Sequence, residues 1–268
     1  MKHKFSARRL VTGILLCCFL CISCLLTACT VSFLPDEVQR VILKEENRTV
    51  EVPLTAGETL SLSVNMRFDD GGDNPITVRA PEDGETPSAV ISYPADLEKY
   101  GFYAEYEDGT LRIGTENKYQ FATDTFRITV IADVASYSLT GGLELHADAG
   151  GHPIDALSLT FVGGADFDLV NVSAGEVRFS LDGAADISLA GAADSLSGVI
   201  NGAGDVDAEH LTVSSADITV NGAGAAELSV TDVLQAEING LGSITYRGNP
   251  TVNKTMNGAG TVKQVNDP

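Results

Sequence analysis

The sequence predicts an all-β protein: a β-solenoid of about 18–22-residue coils behind an irregular, β-rich N-terminal part. Three observations carry that prediction. The first is a returning phrase, Asn201-Gly-Ala-Gly, Asn221-Gly-Ala-Gly, Asn239-Gly-Leu-Gly and Asn257-Gly-Ala-Gly, with fainter copies at Thr140-Gly-Gly-Leu, Val162-Gly-Gly-Ala and Asp182-Gly-Ala-Ala. The marker glycines Gly141, Gly163, Gly183, Gly202, Gly222, Gly240 and Gly258 are separated by 22, 20, 19, 20, 18 and 18 residues, the spacing of a stacked repeat. The second is a pair of apolar columns. Leu139, Phe161, Leu181, Ile200, Val220, Ile238 and Met256 stand two residues before the markers, and Leu145, Phe167, Ile187, Val206, Ala226, Ile244 and Val262 four residues after them. The third is a local period of two, as in Ala216-Asp217-Ile218-Thr219-Val220, which belongs to strands. Each coil holds about three short strands and buries its apolar columns against the coils above and below.

In chain order, residues 1–28 read as an export signal. Lys2, Lys4, Arg8 and Arg9 precede an uncharged, largely apolar stretch from Leu10 to Ala28. The segment ends Leu26-Thr27-Ala28-Cys29, which resembles a bacterial lipoprotein lipobox. That resemblance implies lipid attachment to the Cys29 thiol and cleavage before it, with Leu26, Thr27 and Ala28 as the preceding lipobox positions. A plain signal peptide or a single spanning helix is the competing reading; a small-residue site at the end of the apolar stretch favours cleavage. Two or three acyl chains on one cysteine suffice for stable anchoring. Residues 29–37 are then the lipidated cysteine and a short tether of at most about 28 Å, which keeps the folded part near the membrane.

Cys17, Cys18, Cys21 and Cys24 all lie inside the signal, so the chain beyond Cys29 can form neither a disulfide nor a thiol site. The signal also holds four of the 17 Lys and Arg residues and none of the 37 acids, leaving 13 against 37 after it, a net −24. Such a field repels nucleic acid and anionic headgroups, so nucleic acid is excluded as a partner.

Residues 38–268 form the folded domain, with an irregular β or capping part over 38–135 and regular coils over 136–268. In the first part, Val38–Leu43, Thr49–Leu54 and the alternating Thr59–Phe68 read as strands. Asp69–Pro87 reads as a mobile loop with a short strand at Ile76–Arg79. Asp108-Gly109 between Phe102–Tyr106 and Thr110–Ile113 signals a hairpin, and Phe126, Ile128 and Val130 continue the alternation. This part is either a set of irregular first coils or a sheet capping an open end, since a bare terminal coil exposes unpaired strand edges. Asn257–Gln264 is a short last coil and a fitting end for the stack.

The corner residues are structural candidates, not catalytic ones. Gly202, Gly204, Gly222, Gly224, Gly240, Gly242, Gly258 and Gly260 suit tight corners or close chain approach. Asn201, Asn221, Asn239 and Asn257 recur at one place in four coils. Their amides either hydrogen-bond coil to coil as a ladder or each tolerate a left-handed corner singly.

The combination of a lipobox signal, a variable β-rich start and Asn-Gly-Ala-Gly or Asn-Gly-Leu-Gly copies resembles the head GIN domain family, described as putative auto-transporter adhesins of bacterial envelopes. The match is densest from Ile238-Asn-Gly-Leu-Gly through Met256-Asn-Gly-Ala-Gly-Thr-Val-Lys263 and extends over residues 38–265. The resemblance implies a right-handed β-helix-like fold and a surface or periplasmic role. Thr140, Val162 and Asp182 depart from the Asn of the later copies, and an extra Gly191-Ala-Ala-Asp interrupts the third coil.

No catalytic constellation is visible. His146 and His152 near Asp148 offer only two nitrogens for zinc. No nucleophile elbow accompanies the many serines. β-Helix polysaccharide lyases use Lys or Arg with calcium, but Arg178, Arg247, Lys254 and Lys263 share no column here. Calcium is the better metal candidate: Gly163-Gly-Ala-Asp-Phe-Asp168 and Gly202-Ala-Gly-Asp-Val-Asp207 are similar to the calcium-binding nonapeptide. That motif repeats every nine residues, however, and the later coils replace the first acid with Ala225, Ser243 and Thr261; solvated corner acids are the favoured reading. The expectation is a non-enzymatic, membrane-anchored, extracytoplasmic lipoprotein with no cofactor, which binds an envelope or host-surface ligand or serves structurally. A calcium-stabilised binding module is the alternative, and a carbohydrate-active β-helix enzyme the more remote one.

Overall fold

The computed structural model describes residues 39–68, 75–116 and 119–265. The signal, the lipobox, Cys29 and the tether lie outside the described residues. The folded unit is all-β, a solenoid of about six turns with coils of about 20 residues. Its strands in chain order are β1 (Gln39–Ile42), β2 (Asn47–Pro53), β3 (Leu60–Arg67), β4 (Pro75–Arg79), β5 (Ser88–Pro94), β6 (Tyr103–Glu107), β7 (Thr110–Gly114), β8 (Tyr119–Ala122), β9 (Arg127–Ile131), β10 (Val134–Asp148), β11 (Pro153–Gly183), β12 (Asp186–Gly202), β13 (Asp205–Gly222), β14 (Ala225–Ile238), β15 (Ser243–Arg247), β16 (Thr251–Met256) and β17 (Thr261–Gln264). No helix among the described residues is long and apolar enough to cross a membrane.

From β10 onward each coil pairs in parallel with the next, and the markers fall in register: Gly141 opposite Gly163, Gly183 opposite Gly202, Gly202 opposite Gly222. The columns read from the sequence are the core, except in the last coil, where Met256 is exposed and Val262 only partly buried. Phe161, Leu181, Ile200, Val220 and Ile238 are all but fully buried, as are Leu145, Phe167, Ile187, Val206, Ala226 and Ile244. Tyr137, Phe161 and Phe167 pack edge to face at 5.1–5.2 Å and fill the first coils. Later coils carry smaller residues in these columns, such as Val206, Val220 and Ala226.

The marker glycines are required by backbone approach. A methyl group on Gly222 would collide with the Gly202 carbonyl oxygen, and one on Gly202 with that of Gly183. Those carbonyls are held in place because they accept from the next corner: Ala223 N donates to Gly202 O at 2.9 Å. Gly222 also sits at φ +148°, a conformation L side chains rarely adopt. The second glycine column behaves alike, since a Cβ on Gly242 would meet the Val220 side chain and the Gly224 oxygen.

The N-terminal part is both things that its sequence allows. β3 and β4 pair in parallel with β10, placing Val64 opposite Leu139 and Ile76 opposite Leu145, and so form a coil beneath the first marker coil. β7 and β9 pair in parallel with β3 and β4 and make a further layer. The stacking order is therefore 110–131, then 60–79, then 134–148, which differs from chain order. Antiparallel strands close that end: β6 on β7, and β5 on β9 with β2 beyond it. The β6–β7 turn has positive φ at both Asp108 (48°) and Gly109 (70°), the primed hairpin geometry that Asp-Gly selects. β5, β8 and the 3-10 turn Ala95–Tyr100 are additions to the sequence reading. The segment after β4 is not a free loop. Arg79 Nη1 donates to Glu85 Oε2 at 2.6 Å and Glu85 N donates to Glu82 O at 2.9 Å, which ties residues 80–85 down; the Arg79 partner holds the Glu85 carboxyl at about 2.

Candidate functional site

Strand alternation turns every second residue of a coil outward, and parallel register stacks these residues about 4.8 Å apart. Of the outer flanks that result, two meet at the marker corners.

The first flank precedes the markers. One outward column runs Ser138, Thr160, Ser180, Val199, Thr219, Glu237, Thr255, and its neighbour runs Ser136, Ser158, Arg178, Ser197, Asp217, Gln235, Asn253. Hydroxyls and amides dominate both. At the flank's edge the corner amides form a continuous ladder. Asn221 Nδ2 donates to Asn201 Oδ1, Asn239 to Asn221 and Asn257 to Asn239, each at 2.8 Å. Asn201 donates in turn to Asp182 Oδ1 at 2.7 Å. Asp182, a departure from the motif at the sequence level, is thus the ladder's terminal acceptor.

The second flank follows the markers and is acidic in its first coils. Glu144, Asp166, Asp186 and Asp205 are successive members of one outward column, which continues as Ala225, Ser243 and Thr261. Beside it run His146, Asp168, Ser188, Asp207, Glu227, Thr245 and Lys263. The crowding has an electrostatic cost. Partial burial, then the neighbouring Glu144, pushes the Asp166 carboxyl up. Burial, then Asp205 and Asp166, does the same to Asp186. His146 relieves part of this, with Nε2 3.0 Å from Glu144 Oε1 and Nδ1 3.9 Å from Asp168 Oδ2.

The acids of the two calcium-like phrases therefore share one face, which single-phrase reading misses. The signal was available: an acid recurs three residues after Gly141, Gly163, Gly183 and Gly202. Among the described residues, however, no group of three or more His, Cys, Asp or Glu side chains is placed to hold a metal ion. His152 points elsewhere, its Nδ1 2.7 Å from Asp133 Oδ1. Asp148 is engaged as a corner acceptor from Gly150 N and Asn171 Nδ2, both at 2.8 Å, and the Asn171 amide, then the Gly150 N–H, hold its carboxyl low.

The concave features are shallow. One hollow of about 140 Å³ lies over Asp166, Asp186, Ser188, Asp205 and Asp207, and one of about 170 Å³ lies beside Tyr246 and the Arg247–Glu209 ion pair. A wider open depression of about 800 Å³ borders the β6–β7 turn, lined by Thr55, Glu58, Tyr106 and Asp108. Arg178, Arg247, Lys254 and Lys263 fall in four different columns and converge on nothing.

Three comparisons place this geometry among known proteins. The family described as "Putative auto-transporter adhesin, head GIN domain" matches residues 76–250. A comparison with curated proteins returned no match. Among solved structures, an adhesin described as putative from Bacteroides fragilis superimposes with a TM-score of 0.66 at 19% identity, covering 84% of this chain and 100% of its own. A putative lipid binding protein from Parabacteroides distasonis gives 0.60 at 17% identity, over 85% of this chain and 100% of its own. A putative adhesin from Parabacteroides merdae gives 0.54 at 18%, over 84% and 99%. At these identities the likeness is one of fold.

Proposed function

Since the chain belongs to the head GIN domain family of auto-transporter-adhesin-like proteins, we propose that it is a lipid-anchored, extracytoplasmic binding module that takes its ligand on a flat flank of the solenoid. The observation that carries this reading is the first flank. It presents two columns of mostly hydroxyl and amide side chains on strands fixed above and below, so its donors and acceptors are preorganised at regular spacing. A surface of this kind suits an extended polar ligand of the envelope or of a host surface, such as a glycan chain. It does not suit a small molecule, which calls for an enclosed and largely apolar pocket.

The same reading makes the protein a non-enzyme, because its titratable groups sit on open columns instead of converging on a reacting atom. Lipidation at Cys29 would hold the flank close to the membrane through the short tether. The test uses the full chain in detergent on arrays of envelope and host glycans and proteins. Retention of one ligand class without turnover supports the proposal; conversion of an arrayed glycan, or retention of nothing, counts against it.

A further inference from the structure

We propose that the last coil carries a built-in stop, in which Lys254 and Gln264 keep the solenoid from continuing onto a second copy of this chain. A solenoid end is a template: the coil presents a row of unpaired N–H and C=O groups and an uncovered layer of core, ready to receive another coil. The two ends of this stack deal with that hazard differently. At the N-terminal end, strands β2, β5 and β6 lie antiparallel across the coil layers. At the other end, β16 pairs only with β14 and β17 only with β15 among the described residues. No described strand covers them.

What the last coil has instead is a change in two core columns. Lys254 stands opposite Ala236, which stands opposite Ile218; Gly198, Phe179, Leu159 and Tyr137 occupy the same column in earlier coils. Gln264 stands opposite Tyr246, which stands opposite Leu228, in a column that begins with Ala147, Leu169 and Leu189. Register-paired residues in parallel strands point the same way, so Lys254 and Gln264 are directed at the core side of the coil, not at its outer flanks. Gln264 reaches across the coil end, its Nε2 donating to the Gly248 carbonyl oxygen at 2.7 Å. A further coil laid on this one would have to bury an ammonium group and an engaged amide against its own apolar columns. Burying an unpaired charge costs far more than covering the neighbouring Val252, Met256 and Val262 would contribute.

Charge adds a second barrier between like ends. From Ile238 to Val265 the chain holds Arg247, Lys254 and Lys263 and no acid, in a protein of net charge −20. Arg247 is neutralised by Glu209, so two such ends meeting tail to tail would bring the Lys254 and Lys263 ammonium groups together. The device leaves the flanks open for a ligand while closing the end to copies of the same chain. It rests on the side chains of the last described coil, whatever the chain does after it.

The test restores the preceding coil's residues. The full chain in detergent, wild type and with Lys254→Ala and Gln264→Tyr together, is followed by light scattering across a concentration series, with circular dichroism as a check on folding. The wild type stays monomeric, and the double variant self-associates about tenfold or more tightly. Lys254→Glu, which keeps a charge in the column, stays monomeric. If the double variant misfolds, Lys254→Ala and Gln264→Tyr singly carry the same test, each self-associating more tightly than wild type. A folded double variant that remains monomeric at every concentration overturns the proposal. So does a wild type that associates through this end and loses that association in Lys254→Glu.

Discussion

Replacing Gly222 with Ala puts the stacked-corner geometry under direct strain. The new methyl group meets the Gly202 carbonyl oxygen, and that oxygen cannot swing away freely because it accepts from Ala223 N at 2.9 Å. Relief requires losing that hydrogen bond, worth about 0.5–1.5 kcal/mol net. The residue must also hold φ +148°, and such backbone strain costs about 1–3 kcal/mol. The two add to roughly 2–4 kcal/mol before any shift of the neighbouring coils. For a domain of this size that lowers Tm by about 5–15 °C. The control is Gly164→Ala, in an earlier coil and one residue past its marker, where a Cβ meets nothing within 4 Å. It should stay within about 0.5 kcal/mol of wild type. Urea denaturation and thermal melts of both variants, beside wild type, read the difference. Equal stability of the two variants would refute the argument, because it would mean that the marker glycines are not held against the carbonyls beneath them.

The remaining predictions concern the ladder, the acids, the anchor and calcium. Asn221→Ala removes a donated and an accepted amide bond and should destabilise by about 1–3 kcal/mol, whereas Asn257→Ala, at the ladder's end, loses one bond and should cost about half as much. The raised carboxyls of Asp166 and Asp186 bind protons more readily in the folded state than in the unfolded chain. Their charged forms therefore subtract stability at neutral pH, and that penalty disappears as pH falls through the raised folded pKa towards the ordinary value. Asp186→Asn should accordingly melt above wild type at pH about 7 and lose its advantage below pH about 4. Glu85 runs the other way: its Arg79 contact contributes above the ordinary carboxylate range and is lost as pH falls towards about 2, so acid melts should show both slopes. Cys29→Ala should abolish incorporation of labelled fatty acid into the protein, which the wild type should show. Millimolar calcium should leave the melting curve where chelator leaves it, since no described cluster offers three ligands; a clear rise would make the acidic column a cation site.

The coils were legible because each one repeats the same constraint. A glycine that must approach the carbonyl below it recurs with the coil, and so do the apolar residues on either side, so Gly202, Gly222 and Gly240 announce themselves by spacing alone. The N-terminal part was less legible because its stacking order is not its chain order. β3 and β4 read as strands from their alternation, but nothing local says that residues 110–131 will lie beyond residues 60–79. β5 is hard to read because its Ala-Val-Ile run does not alternate apolar with polar and is paired by strands distant in sequence. The acidic column was hidden for a different cause. Its members sit in four coils, and only register brings Asp166, Asp186 and Asp205 side by side. The Arg79–Glu85 pair joins the end of β4 to an irregular segment, where sequence carries no register.

The most direct test of the binding account is to block one flank and leave the other open. Thr160→Arg with Thr219→Arg places two long side chains on the hydroxyl columns, and Ser188→Arg with Thr245→Arg does the same on the second flank; all four positions are outward-facing, so the core is untouched. Each variant and the wild type are titrated against whatever ligand the arrays retain. The account predicts that the first pair weakens binding by about tenfold or more while the second leaves it nearly unchanged. Undiminished binding by the first pair would contradict the account and move the ligand to another surface.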